Sequence, residues 1–235
     1  MYTPVGFFAP QGGGYVTDNL LQYIDPFAST IGGGTASDLS GNGNSATLQN
    51  SITTDSNGWI LDSSATPRYL NLGLGGTNTD TTFSIEVFMR LNTGATFSSA
   101  PTFVGNFNNI TNKLFAIYFD DGANKRPYTF IRASGGDSFV ELGTNVVDNT
   151  YHHYVMVRTS TTSQSFYKDG TLLGSSAVSG TSTTSADWWA GGPHPAFPSR
   201  YINGGRMGLT RLYTSALSAA QVLQNYNANK ADYGL

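Results

Sequence analysis

The segment Gln164 to Leu173 constrains the fold of this chain more than any other, because Gln164-Ser165-Phe166-Tyr167-Lys168 runs into Asp169-Gly170 and continues as Thr171-Leu172-Leu173. An Asp-Gly pair accepts the two positive φ angles of a tight type I′ turn, whose twist matches that of paired strands, so the segment predicts a β-hairpin. The same grammar recurs along the chain. Phe83 to Arg90 alternates, placing Phe83, Ile85, Val87 and Met89 on one face as a half-buried strand does. Lys113 to Phe119, Tyr128 to Arg132, Ser138 to Leu142 and Tyr151 to Arg158 are further predicted strands bounded by turn residues. One helix is expected, from Ser218 to about Asn227: Ser218 and Gln221 form a capping box, and Leu217 is placed to staple onto Val222.

Many short strands and one helix point to an antiparallel sandwich, and 235 residues suit one such domain. A chain of this length buries enough surface to do without disulfides, so the lack of cysteine is tolerable. It also excludes thiolate metal sites and cysteine nucleophiles. Charged residues are only 11% of the chain and the formal net charge is -3, with no basic patch, which argues against a nucleic-acid partner. No run approaches the ~20 apolar residues of a membrane span, and Met1-Tyr2-Thr3-Pro4 does not open a signal peptide. Residues 1–18, rich in glycine and aromatics, read as an extended N-terminal arm ahead of a domain over 19–235.

Four segments in order resemble the laminin G-like, concanavalin A-like jelly-roll family. Asp38-Leu39-Ser40-Gly41-Asn42-Gly43-Asn44, followed by Ala46-Thr47-Leu48, looks like its early D-x-S-G-N-G-N loop. Phe83 to Arg90 is similar to its F-T-I-x-A-W-V strand, with Phe88 in place of tryptophan, and Tyr151-His152-His153-Tyr154 resembles W-H-H-V. Gly205-Arg206-Met207-Gly208-Leu209-Thr210-Arg211-Leu212-Tyr213 and Ala216-Leu217-Ser218 look like the closing G-x-I-G-x-x-R-I-Y and A-L-S. The tail Asn225 to Leu235 resembles the endings of such domains in bacteriophage virion proteins. The resemblance implies an all-β, two-sheet antiparallel jelly roll, frequent calcium binding, and roles in carbohydrate binding, adhesion or virion structure.

The family also includes β-glucanases, which need paired carboxylates flanking the scissile bond. This chain has only two glutamates, Glu86 and Glu141, in separate segments, so catalysis is not expected; Glu86 reads as a sheet-face residue with Arg90 as its partner. His152 and His153 are neighbours on a predicted strand and point to opposite faces, which suits packing and hydrogen bonding better than a shared metal. Asp38, Asn42 and Asn44 offer oxygen ligands for calcium, or alternatively Asx-turn hydrogen bonds. Trp188, Trp189 and Tyr201, set among glycine and proline, are candidate ligand-stacking residues, the alternative being that they plug the core. Phe7, Phe8 and Tyr15 of the arm are candidates for burial against a partner. The expected function is a non-enzymatic virion protein, in multiple copies as decoration, fibre or adhesin, whose jelly roll meets host surface glycans. The alternative is a free-standing carbohydrate-binding module.

Overall fold

The computed structural model describes residues 14–62, 68–75, 82–97, 101–106, 114–120, 125–143, 145–180, 186–192 and 201–235, with the backbone alone at Asp62 and Leu114. Phe7, Phe8 and His194 lie outside the described residues. In chain order the strands are β1 (Leu20–Ile24), β2 (Ile31–Gly32), β3 (Thr35–Ala36), β4 (Ala46–Gln49), β5 (Thr54–Asp55), β6 (Gly58–Asp62), β7 (Tyr69–Gly73), β8 (Phe83–Phe97) and β9 (Thr102–Asn106). They continue as β10 (Leu114–Phe119), β11 (Pro127–Ala133), β12 (Gly136–Glu141), β13 (Tyr151–Ser160), β14 (Ser163–Lys168), β15 (Thr171–Ala177), β16 (Trp188–Ala190) and β17 (Ile202–Tyr213). One helix, α1 (Ala219–Asn229), runs into a 3-10 turn at Lys230–Tyr233.

These form two antiparallel sheets. One has eight strands in the order β15-β14-β13-β8-β17-β6-β5, with β1 added beside β17; the other has nine, β12-β11-β10-β9-β16-β7-β4-β3-β2. The predicted hairpin is β14–β15, and Asp169 and Gly170 take φ 50° and 77°, as a type I′ turn requires. Phe83, Ile85, Val87 and Met89 face the nine-stranded sheet and join Trp59, Phe115 and Trp188 in the main core. Alternation sets that layer.

A second core lies on the other side of the eight-stranded sheet. There Phe88, Val155, Leu209 and Tyr213 are covered by the chain around Val16, by Val222 of α1 and by Tyr233. Ser218 caps α1: its hydroxyl accepts from Gln221 N at 3.3 Å and Gln221 Oε1 accepts from Ser218 N at 2.9 Å. Gly208 is what lets the tail close. A Cβ there would sit 2.3 Å from the Tyr233 ring, which stacks on Phe88 at 4.3 Å while its hydroxyl accepts from Leu209 N at 2.7 Å.

This second layer corrects two expectations. Glu86 is not a sheet-face partner of Arg90; it is fully buried, with Oε1 accepting from Arg211 Nη1 at 2.7 Å and Oε2 accepting from Asn225 Nδ2 at 2.8 Å. His153 Nε2 stands 3.2 Å from the same oxygen. The arm boundary at residue 18 also moves. Val16 N donates to Asn225 Oδ1 at 2.8 Å, Gln224 Nε2 donates to Gly14 O at 2.6 Å, and the Tyr15 ring lies 4.0 Å from the Arg211 guanidinium. Tyr15 therefore packs on its own domain, held by a cation–π contact, and is not a free partner anchor. No helix among the described residues is long and apolar enough to cross a membrane.

Candidate binding face

The outward face of the nine-stranded sheet is built by register. Along β11, Thr129 and Ile131 point into the sandwich, so Tyr128, Phe130 and Arg132 point out. Tyr118 pairs with Tyr128, and Ala116 with Phe130, across β10 and β11. On the far side of β11, Phe139 pairs with Phe130 and Glu141 with Tyr128. Gly105 of β9 pairs with both Ala116 and Trp189, and Trp189 pairs with Asn71. Aromatic side chains thus share one surface across five strands.

The rings grade from covered to open along that row. Tyr69, Ala116, Tyr118 and Trp189 form a buried floor, against which Tyr128 and Phe130 pack half-buried. Phe139, on the edge strand, is 60% exposed. Tyr118 stacks on Tyr128 with centroids 5.6 Å apart and meets Phe130 edge-on at 5.8 Å, so the half-buried rings are fixed in orientation. The Arg132 guanidinium lies 5.3 Å from the Phe130 centroid and bonds Asp137 through two contacts of 2.8 Å. That bidentate bond holds the Asp137 carboxyl below its usual range and raises Arg132. Arg126 bridges Glu141 at 2.7 Å and Asp120 at 3.1 Å. A rigid, ring-lined face with a polar rim is suited to a ligand that is apolar on its flat side and hydroxylated at its edge.

The structure separates the three residues expected to stack on ligand. Trp188 is fully buried between the sheets, 5.7 Å from Phe83 and 6.5 Å from Phe115, and cannot meet a ligand; that expectation is corrected. Trp189 points the other way and belongs to the outer face, but as part of its floor, 2% exposed. Tyr201 is half-buried just ahead of β17, in the other sheet. The outermost members, the half-buried Tyr128 and Phe130 and the exposed Phe139, were missed as candidate ligand contacts by sequence reasoning. Their signal was the alternation of Tyr128, Phe130 and Arg132, since Arg132 marks the outward phase of that strand.

The Asp38 loop is stapled to β1. Asp38 Oδ1 accepts from Tyr23 N and Ser40 N, both at 2.9 Å, and Oδ2 accepts from Asn44 N at 2.9 Å and the Ser40 hydroxyl at 2.7 Å. Asn42 and Asn44 turn their amide nitrogens to the carbonyls of Leu20 and Leu21 at 2.8 and 2.9 Å. Donors thus surround the carboxylate, an arrangement that does not fit calcium held through Asp38. Asp38→Ala should cost about 2–3 kcal/mol, since it strands several donors. Melting midpoints in calcium and in chelator should coincide; a calcium-dependent rise abolished by Asp38→Ala would restore the cation site. His152 bridges Asp169 at 2.9 Å and Asp148 at 3.1 Å, so it too ties a turn to a strand.

The family model described as the concanavalin A-like lectin/glucanases superfamily matches residues 64–223. No curated protein sequence matches the chain. Among solved structures it is similar to the binding domain of Paraclostridial Mosquitocidal Protein 1, at 13% identity and TM-score 0.64, covering 89% of this chain and 52% of that one. It is also similar to the botulinum neurotoxin serotype D ligand binding domain in complex with N-acetylneuraminic acid, at 12% identity and TM-score 0.63, covering 90% and 51%. A third is Trypanosoma rangeli sialidase, at 13% identity and TM-score 0.64, covering 91% and 33%. The chain spans about half the length of the first two and a third of the last. At such identities the likeness is one of fold.

Proposed function

The chain belongs to the concanavalin A-like lectin/glucanase superfamily, and on that premise we propose that it is a non-enzymatic glycan-binding domain acting through the outer face of its nine-stranded sheet. The observation that carries this reading is the row of rings on that face, with Tyr128 and Phe130 half-buried and oriented by Tyr118, and Phe139 exposed beside them. Pyranose rings present flat C–H faces that stack on such side chains, while their hydroxyls reach the polar rim. That a structural neighbour, the botulinum neurotoxin serotype D ligand binding domain, is found in complex with a saccharide supports glycans as the broad class of ligand.

The non-enzymatic part of the proposal rests on the glutamates. Hydrolysis of a glycosidic bond uses two carboxylates that reach it from opposite sides. Glu86 is sealed beneath α1, and Glu141 is ion-paired with Arg126. The setting we favour is a virion, where many copies on a capsid or tail would make weak single-site binding effective through avidity. The tail Asn225 to Leu235, similar to the endings of virion domains, supports it, and Phe7 and Phe8 would then supply the contact to other virion proteins.

One experiment with two readouts tests the proposal, comparing wild type with Phe130→Ala for retention on immobilised glycans and for co-purification with virus particles. Wild type should be retained; the variant should lose about tenfold in affinity while remaining folded, with a modestly lower melting midpoint, and should keep its place on the particle. Retention unchanged by Phe130→Ala would overturn the assignment of this face. A wild type retained on glycans but never found with particles would leave the free-standing module as the function.

A further inference from the structure

From the charge arrangement around the rings we infer that this face selects neutral saccharides and rejects acidic ones such as sialylated or uronic-acid glycans. This inference rests on the glycan reading above and narrows it. Among the described residues, the face carries two guanidiniums, Arg126 and Arg132, and both are committed: Arg132 to Asp137 in a bidentate pair across β11 and β12, Arg126 to Asp120 and Glu141 together. At the opposite end of the row Asp187 accepts from Gly75 N at 3.1 Å and lies 3.4 Å from Asn71 Nδ2, beside Trp189. Among the described residues, four carboxylates therefore stand on this face with two cations.

A sugar carboxylate bound here would share a guanidinium already paired with Asp137, or with Asp120 and Glu141, and would lie beside those anions. Like charges a few ångströms apart at a protein surface repel by one to a few kcal/mol, or roughly tenfold and upward in affinity. A neutral sugar meets no such barrier. Its apolar face stacks on Tyr128 and Phe130, and the rim carboxylate oxygens, each with more than one lone pair, can accept hydroxyl hydrogens alongside their arginine bonds. The Arg132–Phe130 contact adds to the same preference, because the guanidinium already sits by the ring and is held there by Asp137.

The test is a matched panel, galactan against polygalacturonate and lactose against sialyllactose, titrated by calorimetry at low and at physiological salt. The neutral member of each pair should bind about tenfold tighter, with the gap widening at low salt as screening falls. Asp137→Asn combined with Glu141→Gln releases Arg132 from Asp137 and leaves Arg126 paired with Asp120 alone, so the double variant should shift the preference toward the acidic member. Equal or tighter binding of acidic members by wild type, lost in Phe130→Ala, would overturn the inference while leaving the glycan reading intact. Wild type that binds no member, neutral or acidic, would overturn both.

Discussion

Arg211→Met should cost the domain about 3–5 kcal/mol, because it leaves the Glu86 carboxylate buried and without its counter-charge. For a chain of this size that corresponds to a fall in melting midpoint of about 10 °C. The guanidinium also lies 4.0 and 4.1 Å from the rings of Tyr15 and Tyr23, and its Nη2 donates to Asn229 Oδ1 at 2.9 Å. One side chain thus joins β17, the chain around Tyr15 and the end of α1. The double replacement Glu86→Leu with Arg211→Met should recover most of the loss, since the unpaired charge and not the lost attraction dominates the cost. Chemical denaturation of wild type and the two variants measures both effects. A single variant within about 1 kcal/mol of wild type would mean that the pair does not hold the layer together.

The same pair sets an acid limit. Burial by itself would raise the Glu86 carboxyl; the Arg211 charge, His153 and Asn225 override it and bring it down from 4.5 to about 2. A carboxyl depressed by folding stabilises at pH values above its unfolded value and loses that contribution as pH falls through its folded one. Wild-type stability should therefore decline from about pH 4.5 toward pH 2. In Arg211→Met the balance reverses, burial pushes Glu86 up, and the variant should be most stable relative to wild type in acid.

Trp188→Ala is the second large effect, expected at about 3–5 kcal/mol as a cavity opens between the sheets beside Phe83 and Phe115. Trp188→Phe should cost much less, about 1–2 kcal/mol, because the buried indole nitrogen has no hydrogen-bond partner and its removal strands nothing. Glycan retention should survive in Trp188→Phe, unlike in Phe130→Ala. If Trp188→Phe folds like wild type and loses glycan, Trp188 is a ligand contact and its placement in the core is wrong.

How much of this was legible depends on the kind of signal. The hairpin at Asp169-Gly170 and the helix start at Ser218 are local: a few consecutive residues carry both the geometry and its reason, so sequence alone settles them. The inward face of β8 is local too, since its period of two is carried by Phe83, Ile85, Val87 and Met89. Burial of the opposite face is not, because it depends on what folds over it. Glu86 reads as a solvent-facing residue of an alternating strand until α1 and the chain around Val16, distant in sequence, close on that side and bring Arg211 and Asn225 to it. For the same reason two adjacent tryptophans part company, Trp188 into the core and Trp189 to the outer floor. Ring chemistry cannot tell a ligand platform from a core residue. Which side of the sheet a ring occupies is local pleat, but whether that side is open is decided by tertiary packing, and so the amino-acid sequence determined the sandwich while only the assembled sheets decided which of its faces stay open.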